Sequence, residues 1–401
     1  MHKLLQINVS ANWGSTGRIA EQIGLLAMKE GWESYIAYGR YCNPSKSKLI
    51  KIGNKIDVYK HYIENLLFDN EGLASKRATQ ILIGEIKKIQ PDIIQIHNIH
   101  DHYLNYPILF KYLNNLDIPV IWTQHDCWSY TGGCTYYSIK HCLNWEKGCT
   151  NCCRRKGLLD DKSTKHYNLK KSLFNSLKNL TIVPVSEWLT KEITRSFLSN
   201  KNIYTILNGV DLNTFKQINA SKIRNEYNLG NDIILLGVAS VWHKRKGLGD
   251  YLKLAQYLKS NEKIVLVGLN KQQSKNLPPN VIAIPRTQNI NNLVALYNEA
   301  SIVLNLSYEE TFGLTTVEGL ACGTPSIVYD STASPELITP ETGRIVKKGN
   351  IKGVYNAINE ILTIGKLNMS EACRLRATEK YDQNKCFNSY IQLYNSLLKN
   401  N

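Results

Sequence analysis

Short apolar runs recur along this chain, each followed by a stretch with helical spacing, and the alternation starts afresh near residue 205. Strands buried on both faces read as unbroken apolar runs, and parallel neighbours need a crossover between them, usually a helix. The first series places strands over residues 3–9, 34–38, 92–96, 120–124 and 181–185, with helical patterns between them, as over 74–89. The second places them over 233–239, 263–267, 281–284, 301–306 and 326–328. Such alternation predicts an α/β protein whose parallel sheets are covered on both faces. At 401 residues the chain is long enough for two lobes with full cores. We expect a first domain over 1–204, a second over 205–383 and a closing helix over 384–401. In that last segment Phe387, Tyr390, Ile391, Tyr394, Leu397 and Leu398 repeat at helical spacing, so the helix buries one face.

No run approaches the length of a membrane-spanning helix, and the opening residues turn polar after Val9, too soon for a secretory signal. A cytoplasmic protein is expected. Lys and Arg number 49 against 33 Asp and Glu, a net charge of +16. A basic surface attracts nucleic acid, anionic membrane or phosphorylated substrates. No zinc-finger, RRM-type or helix-turn-helix signature accompanies the charge, which argues against nucleic acid.

Ten cysteines in a cytoplasmic chain argue against a disulfide framework. Six of them fall between Cys127 and Cys153, inside an irregular insertion over 127–160. Cys134, Cys142, Cys149 and Cys152 offer four thiolates, the last two in Cys-x2-Cys spacing. That set suits a closed structural zinc site ordering a long loop, with Cys153 competing for the last place. Reduced, partly buried thiols are the other reading. His97, His100 and His102, beside Asp101, also look like a metal cluster, but no fourth ligand is evident.

The densest signal runs over residues 308–329, where a strand pattern is followed by a turn, a helix from about Leu314, a stop at Gly323-Thr324-Pro325 and another strand. Glu310 falls in the loop beyond a strand's carboxyl end, where doubly wound sheets bind ligands. The backbone amides of Thr311, Phe312, Gly313 and Leu314 are placed to cap a phosphate with the helix dipole behind them. Glu318 lies one turn inside the helix.

Seven residues separate Glu310 from Glu318, with Phe312-Gly313 between them and Glu-Gly-Leu-Ala-Cys-Gly-Thr-Pro following from Glu318. This string resembles the donor-site signature of family-4 retaining glycosyltransferases. The resemblance spans most of the chain and implies the GT-B architecture: two Rossmann-like doubly wound lobes facing each other across a cleft, with the last helix crossing back to the first. It implies that Glu310 binds hydroxyls of the donor sugar and Glu318 the ribose hydroxyls of the nucleotide. Residues 240–248, Ser-Val-Trp-His-Lys-Arg-Lys-Gly-Leu, resemble the family's diphosphate-binding loop. Lys246 matches the Lys that precedes Gly; where the family commonly has Arg this chain has Val241, and Arg245 is the substitute.

By the same resemblance His125, in His125-Asp126 at a strand's end, reaches the donor sugar and stabilises charge near the anomeric carbon. The loop holding Gly14 and Gly17 faces donor phosphates and acceptor, and Arg286 and Thr287 contact the base. The loop lacks Gly-x-Gly-x-x-Gly, so no nicotinamide site is read there. The implied donor is a UDP- or GDP-sugar, with no cofactor for catalysis. Residues 126–134, Asp-Cys-Trp-Ser-Tyr-Thr-Gly-Gly-Cys, resemble a bacterial subgroup making capsular or exopolysaccharide. A saccharide or lipid-linked oligosaccharide acceptor, with peripheral contact at an anionic membrane, follows from that analogy. A nucleotide-sugar epimerase or phosphorylase of the same fold, and a basic scaffold binding nucleotide sugar or polyanion without turnover, are the alternatives.

Overall fold

The computed structural model describes residues 1–150, 152 and 157–399. The chain forms two units, Met1–Leu207 with Phe387–Asn401, and Asn208–Cys386. In the first, β1 (Lys3–Ala11) is buried along almost its whole length and pairs in parallel with β2 (Glu33–Cys42) on one side and β4 (Ile93–Ile96) on the other. With β3 (Lys48–Lys51), β5 (Val120–Gln124), β6 (Leu180–Pro184) and β7 (Asn202–Ile203) they form a seven-stranded sheet, ordered β3-β2-β1-β4-β5-β6-β7. Strand order reverses at β1, so the carboxyl ends of β1 and β4 part to leave the crevice in which such sheets hold ligands.

The second unit repeats the plan with β8 (Ile233–Val238), β9 (Glu262–Val267), β10 (Val281–Ile284), β11 (Ile302–Asn305), β12 (Ser326–Asp330) and β13 (Gly343–Lys347). Its order is β10-β9-β8-β11-β12-β13, with every neighbour parallel, and its reversal lies between β8 and β11. The expected α/β class and doubly wound sheets are therefore present. Three strands were missing from the sequence reading: β3, β7 and β13. All three are sheet edges, where one side of the strand meets no partner; β3 and β13 keep charged residues instead of a continuous apolar run, and β7 is only two residues long.

The closing helix Gln383–Lys399 buries Phe387, Tyr390, Ile391, Leu393 and Tyr394. Thr123 of β5 donates to the Tyr390 hydroxyl at 3.3 Å, and the Tyr394 hydroxyl bonds to Gln95 of β4. From Phe387 onward this helix belongs to the first unit, as the resemblance implied.

Candidate active site

In the second unit, β8 leads into a loop that ends in the single 3-10 turn Lys244–Lys246 and the helix Leu248–Leu254. Gly247 joins them with φ +73°, and a Cβ there would stand 2.0 Å from the Leu306 carbonyl oxygen. Glycine alone lets the basic turn lie this close to the end of β11. The Tyr308 amide then donates to the Arg245 carbonyl at 2.7 Å, and the Arg245 guanidinium to the Glu309 carbonyl at 2.8 Å. The basic loop and the acidic loop are thus laced together through their backbones.

Lacing brings Lys246 Nζ into direct contact with Glu310 Oε1, while Arg245 Nη1 stands 3.9 Å from Oε2. Glu310 is buried; its amide donates to Thr332 Oγ1 at 2.8 Å, and its carbonyl accepts from the Ala333 amide at 3.1 Å. Burial alone would raise its pKa, but the charges of Lys246 and Arg245 outweigh burial and hold the carboxyl below its ordinary value. Thr311 and Phe312 are also buried, and Gly313, at φ +107°, opens the helix Leu314–Ala321, whose first turn has no side-chain cap. Its N-terminal amides and dipole therefore favour an anion. Within that helix Glu318 Oε2 accepts from the Tyr297 hydroxyl at 2.6 Å. Arg286 and Thr287 follow β10, the edge strand, three places from β11 and so on the order of 14 Å away.

Several residues that shape this site carry no sequence signal. Asp250 Oδ2 accepts from the hydroxyls of Tyr308 and Tyr329, each at 2.8 Å, which ties the helix behind Lys246 to the acidic loop and to β12. Tyr297, which holds the Glu318 carboxylate, and Thr332, which holds the Glu310 backbone amide, are likewise far in sequence from their partners.

In the first unit the loop after β1 is pinned by its own polar groups: Asn8 Nδ2 donates to the Ser10 carbonyl at 2.9 Å, and Ser10 Oγ to the Trp13 carbonyl at 2.8 Å. Gly14, φ +66°, is exposed; Gly17 is buried, and a Cβ there would meet Ser10 Oγ at 2.7 Å. Beyond β4 and β5, four histidines occupy three separate settings. His97 Nδ1 is 3.0 Å from His125 Nε2, and its Nε2 is 3.0 Å from Gln6 Oε1. His100 Nε2 pairs with Asp126 Oδ2 at 2.8 Å, while His102 bonds to Asn65 at 2.9 Å and lies 3.5 Å from Asp101. Burial drives the pKa of His97 well below its ordinary value and that of His125 down to about 4. His100 goes the other way: burial lowers it, but the Asp126 carboxylate overrides burial and carries it up to about 9.

The cysteine insertion is organised by aromatic packing. Trp145 packs against Tyr130 and Tyr137, with ring centroids 5.1 and 5.3 Å apart, and the Tyr137 hydroxyl bonds to Glu192. Lys170, fully buried, donates to the Trp128 carbonyl at 2.7 Å and sits 3.3 Å over the Trp128 ring. Cys149 accepts from the Gly132 amide at 3.0 Å; burial pushes its thiol up to about 11, with the neighbouring Cys152 and Cys142 adding to the rise. Among the described residues no three His, Cys, Asp or Glu side chains are gathered as a metal-holding set, so the expected zinc centre is not assembled there. Cys153 lies outside the described residues.

Two family models match the chain. The one described as Glycosyltransferase Family 4 covers residues 18–214, and the one described as Glycosyl transferases group 1 covers 219–380. Among curated proteins, N-acetyl-alpha-D-glucosaminyl L-malate synthase of Bacillus anthracis is 25% identical over 54% of this chain and 60% of its own length. The capsular polysaccharide biosynthesis glycosyltransferase CapM of Staphylococcus aureus is 24% identical over 54% of this chain and 62% of its own. These matches span less than two thirds of those relatives. N,N'-diacetylbacillosaminyl-diphospho-undecaprenol alpha-1,3-N-acetylgalactosaminyltransferase of Campylobacter jejuni is 26% identical over 58% of this chain and 66% of its own. In fold, sucrose-phosphate synthase from Thermosynechococcus elongatus superposes with a TM-score of 0.75 at 17% identity, covering all of both chains. Anabaena HepE in complex with UDP does so with a TM-score of 0.67 at 15% identity, over 99% of this chain and 100% of that one.

Proposed function

From a chain that belongs to the family-4, group-1 glycosyltransferases, we propose a retaining enzyme that moves a sugar from a nucleotide diphosphate sugar to a saccharide hydroxyl. The observation that carries this reading is the contact of Lys246 and Arg245 with Glu310 beside the open N-terminus of the helix Leu314–Ala321. As the bond from the anomeric carbon to the phosphate oxygen breaks, negative charge grows on the diphosphate. Two fixed cations and a helix end stabilise that charge without reorganising. Glu310, kept ionised by the same cations, accepts hydrogen bonds from sugar hydroxyls, and Glu318, oriented by Tyr297, accepts from the ribose. The acceptor oxygen attacks on the face the phosphate leaves, and its proton passes to the departing phosphate oxygen. Retention follows without a covalent intermediate, in contrast to the paired carboxylates of retaining glycosidases.

The HepE complex favours UDP as the nucleotide, and the undecaprenol-linked substrate in the Campylobacter relative's name favours a lipid-linked oligosaccharide acceptor in cell-surface polysaccharide synthesis. Among the described residues no helix is long and apolar enough to cross a membrane, so contact with an anionic leaflet would draw on the chain's net charge of +16.

Thermal denaturation with UDP-, GDP-, ADP- and CMP-sugars tests the function. A ligand at a hundred times its Kd adds about 2.7 kcal/mol. A rise with one nucleotide series, abolished in Glu318→Ala, is expected. No rise with any of them would refute a standing donor site; a rise that survives in Glu310→Gln, with no sugar transferred by the parent protein, would favour a scaffold.

A further inference from the structure

On the first unit an aromatic pair stands in water, already stacked. Trp13 and Tyr41 have ring centroids 4.3 Å apart and planes at 28°, yet they remain 46% and 44% exposed. Trp13 lies two residues past β1 and Tyr41 is the last residue but one of β2, so both rise at the carboxyl edge of the sheet. Pairing runs from Asn8 with Tyr38 to Ser10 with Tyr41, so β2 holds one residue more than β1 there, a bulge of the kind that re-aims a side chain. Asn12 takes a left-handed φ of +48°; its side-chain amide donates to the Pro44 carbonyl at 2.6 Å, and Asn43 Nδ2 donates to the Asn12 carbonyl at 2.8 Å. Those bonds join the two loops that carry the rings. Beside them, Arg40 Nη2 donates to the Tyr41 hydroxyl at 3.2 Å and Nη1 to Asp101 Oδ1 at 2.6 Å. Asp101 and His102, beyond β4, have φ of +82° and +69°, and two successive left-handed residues other than glycine persist only where their surroundings hold them. Burial alone would raise the Asp101 pKa, but the His102 hydrogen bond and the Arg40 charge keep the carboxyl below its ordinary value. Both partners approach Oδ1, and among the described residues no donor meets Oδ2.

We propose that Trp13, Tyr41 and Asp101 form a saccharide-binding platform, with a pyranose C–H face on the aromatic pair and sugar hydroxyls donating to Asp101 Oδ2. The C–H bonds of a pyranose carry slight positive charge and meet the negative face of an aromatic ring, while its hydroxyls supply the donors that an ionised carboxylate takes. Rings stacked in advance lose little freedom on binding. Arg40 is already neutralised by Asp101, so the platform repels an anion such as a nucleotide. The same carboxylate, with the amides of Asn12 and Asn43 at the rim, disfavours a lipid surface. Gluco and 2-acetamido-gluco rings, whose hydroxyls are equatorial, offer the unbroken C–H face this stack suits. The platform deepens the reading above by naming where a saccharide is held, and it rests on that reading only for the saccharide's being the acceptor.

The test is 19F NMR of the full chain labelled with 5-fluorotryptophan and titrated, without donor, with cellobiose and with N,N'-diacetylchitobiose; the Trp13 signal is assigned by its loss in Trp13→Phe. A saturable shift of that signal with at least one disaccharide is expected, at a Kd on the order of 1 mM. Asp101→Asn, which keeps an oxygen for Arg40 and puts an amide in place of Oδ2, should weaken binding about tenfold. No shift with either sugar at about 50 mM, where such a site is filled, would overturn the proposal. So would an unchanged Kd in Asp101→Asn, or a Trp13 signal that answers UMP or phosphatidylglycerol vesicles instead. Binding by a protein that transfers no sugar would leave the platform standing and remove the transferase reading; transfer without binding would do the reverse.

Discussion

Replacing Asp126 by Asn removes one charge from the buried His100–Asp126 pair with little change of shape, since Asn Oδ1 can still accept from the Trp128 amide, now 2.8 Å from Asp126 Oδ1. The pair's worth follows from His100. Its folded pKa is raised from the ordinary 6.5 to about 9, which at about 1.4 kcal/mol per pH unit amounts to ~3 kcal/mol. A raised His contributes stability that is fully present below 6.5 and is lost as pH climbs through 9. Asp126, lowered despite burial by His100 and by the Trp128 amide, contributes above the ordinary carboxylate range and loses it in acid. The two shifts describe one interaction and count once. Urea unfolding at pH 6 and pH 10, followed by tryptophan fluorescence, measures it; six of the seven tryptophans lie in the first unit, which holds the pair. Asp126→Asn should lose about 3 kcal/mol at pH 6 and little at pH 10, where the parent has already lost it. A variant as stable as the parent at pH 6, or one that keeps the parent's alkaline loss, would refute the argument.

Glu310→Gln and Lys246→Ala should each cut transfer on the order of a hundredfold while the circular dichroism spectrum and unfolding midpoint stay near those of the parent; full activity in either sinks the site. Tyr297→Phe removes the hydroxyl that orients Glu318 and should weaken UDP or GDP binding by about 1 kcal/mol, roughly fivefold in Kd by calorimetry, with unchanged affinity counting against that role. Deleting residues 387–401 strips Phe387, Tyr390, Ile391 and Tyr394 from the first sheet and should cost more than ~5 kcal/mol there. The nucleotide-dependent rise in melting temperature of the second unit should survive, and a first unit that still unfolds cooperatively at its former urea midpoint would contradict the packing.

Central strands were legible because burial on both faces leaves unbroken apolar runs, as in β8 and β11, whereas β3 and β13, exposed along one edge, look like loop sequence. The acidic half of the site was also legible, since Glu310, Gly313 and Glu318 sit in one strand-turn-helix with local spacing. What joins it to the basic loop was not. Tyr308 and Tyr329 meet Asp250 from 58 and 79 residues away, and Gln6 meets His97 across 91, distances over which composition and periodicity carry no signal. The cysteines were ambiguous in a different way: their spacing suited zinc or reduced thiols alike, while Trp145, Tyr130 and Tyr137, which hold the described part of that loop, looked like ordinary aromatic residues.

The helix Gln383–Lys399 also sets an order of assembly. Its last turns complete a sheet whose strands were all made before residue 204, so the first unit stays open through synthesis of the entire second one. At ~5–20 residues per second, that leaves the apolar surface awaiting Tyr390 and Tyr394 uncovered for about ten to forty seconds on the ribosome. The second unit, continuous in sequence, can close in that interval. The half that begins first therefore finishes last, and slow or interrupted translation past Cys386 is the step at which this chain is most exposed to chaperones and to aggregation.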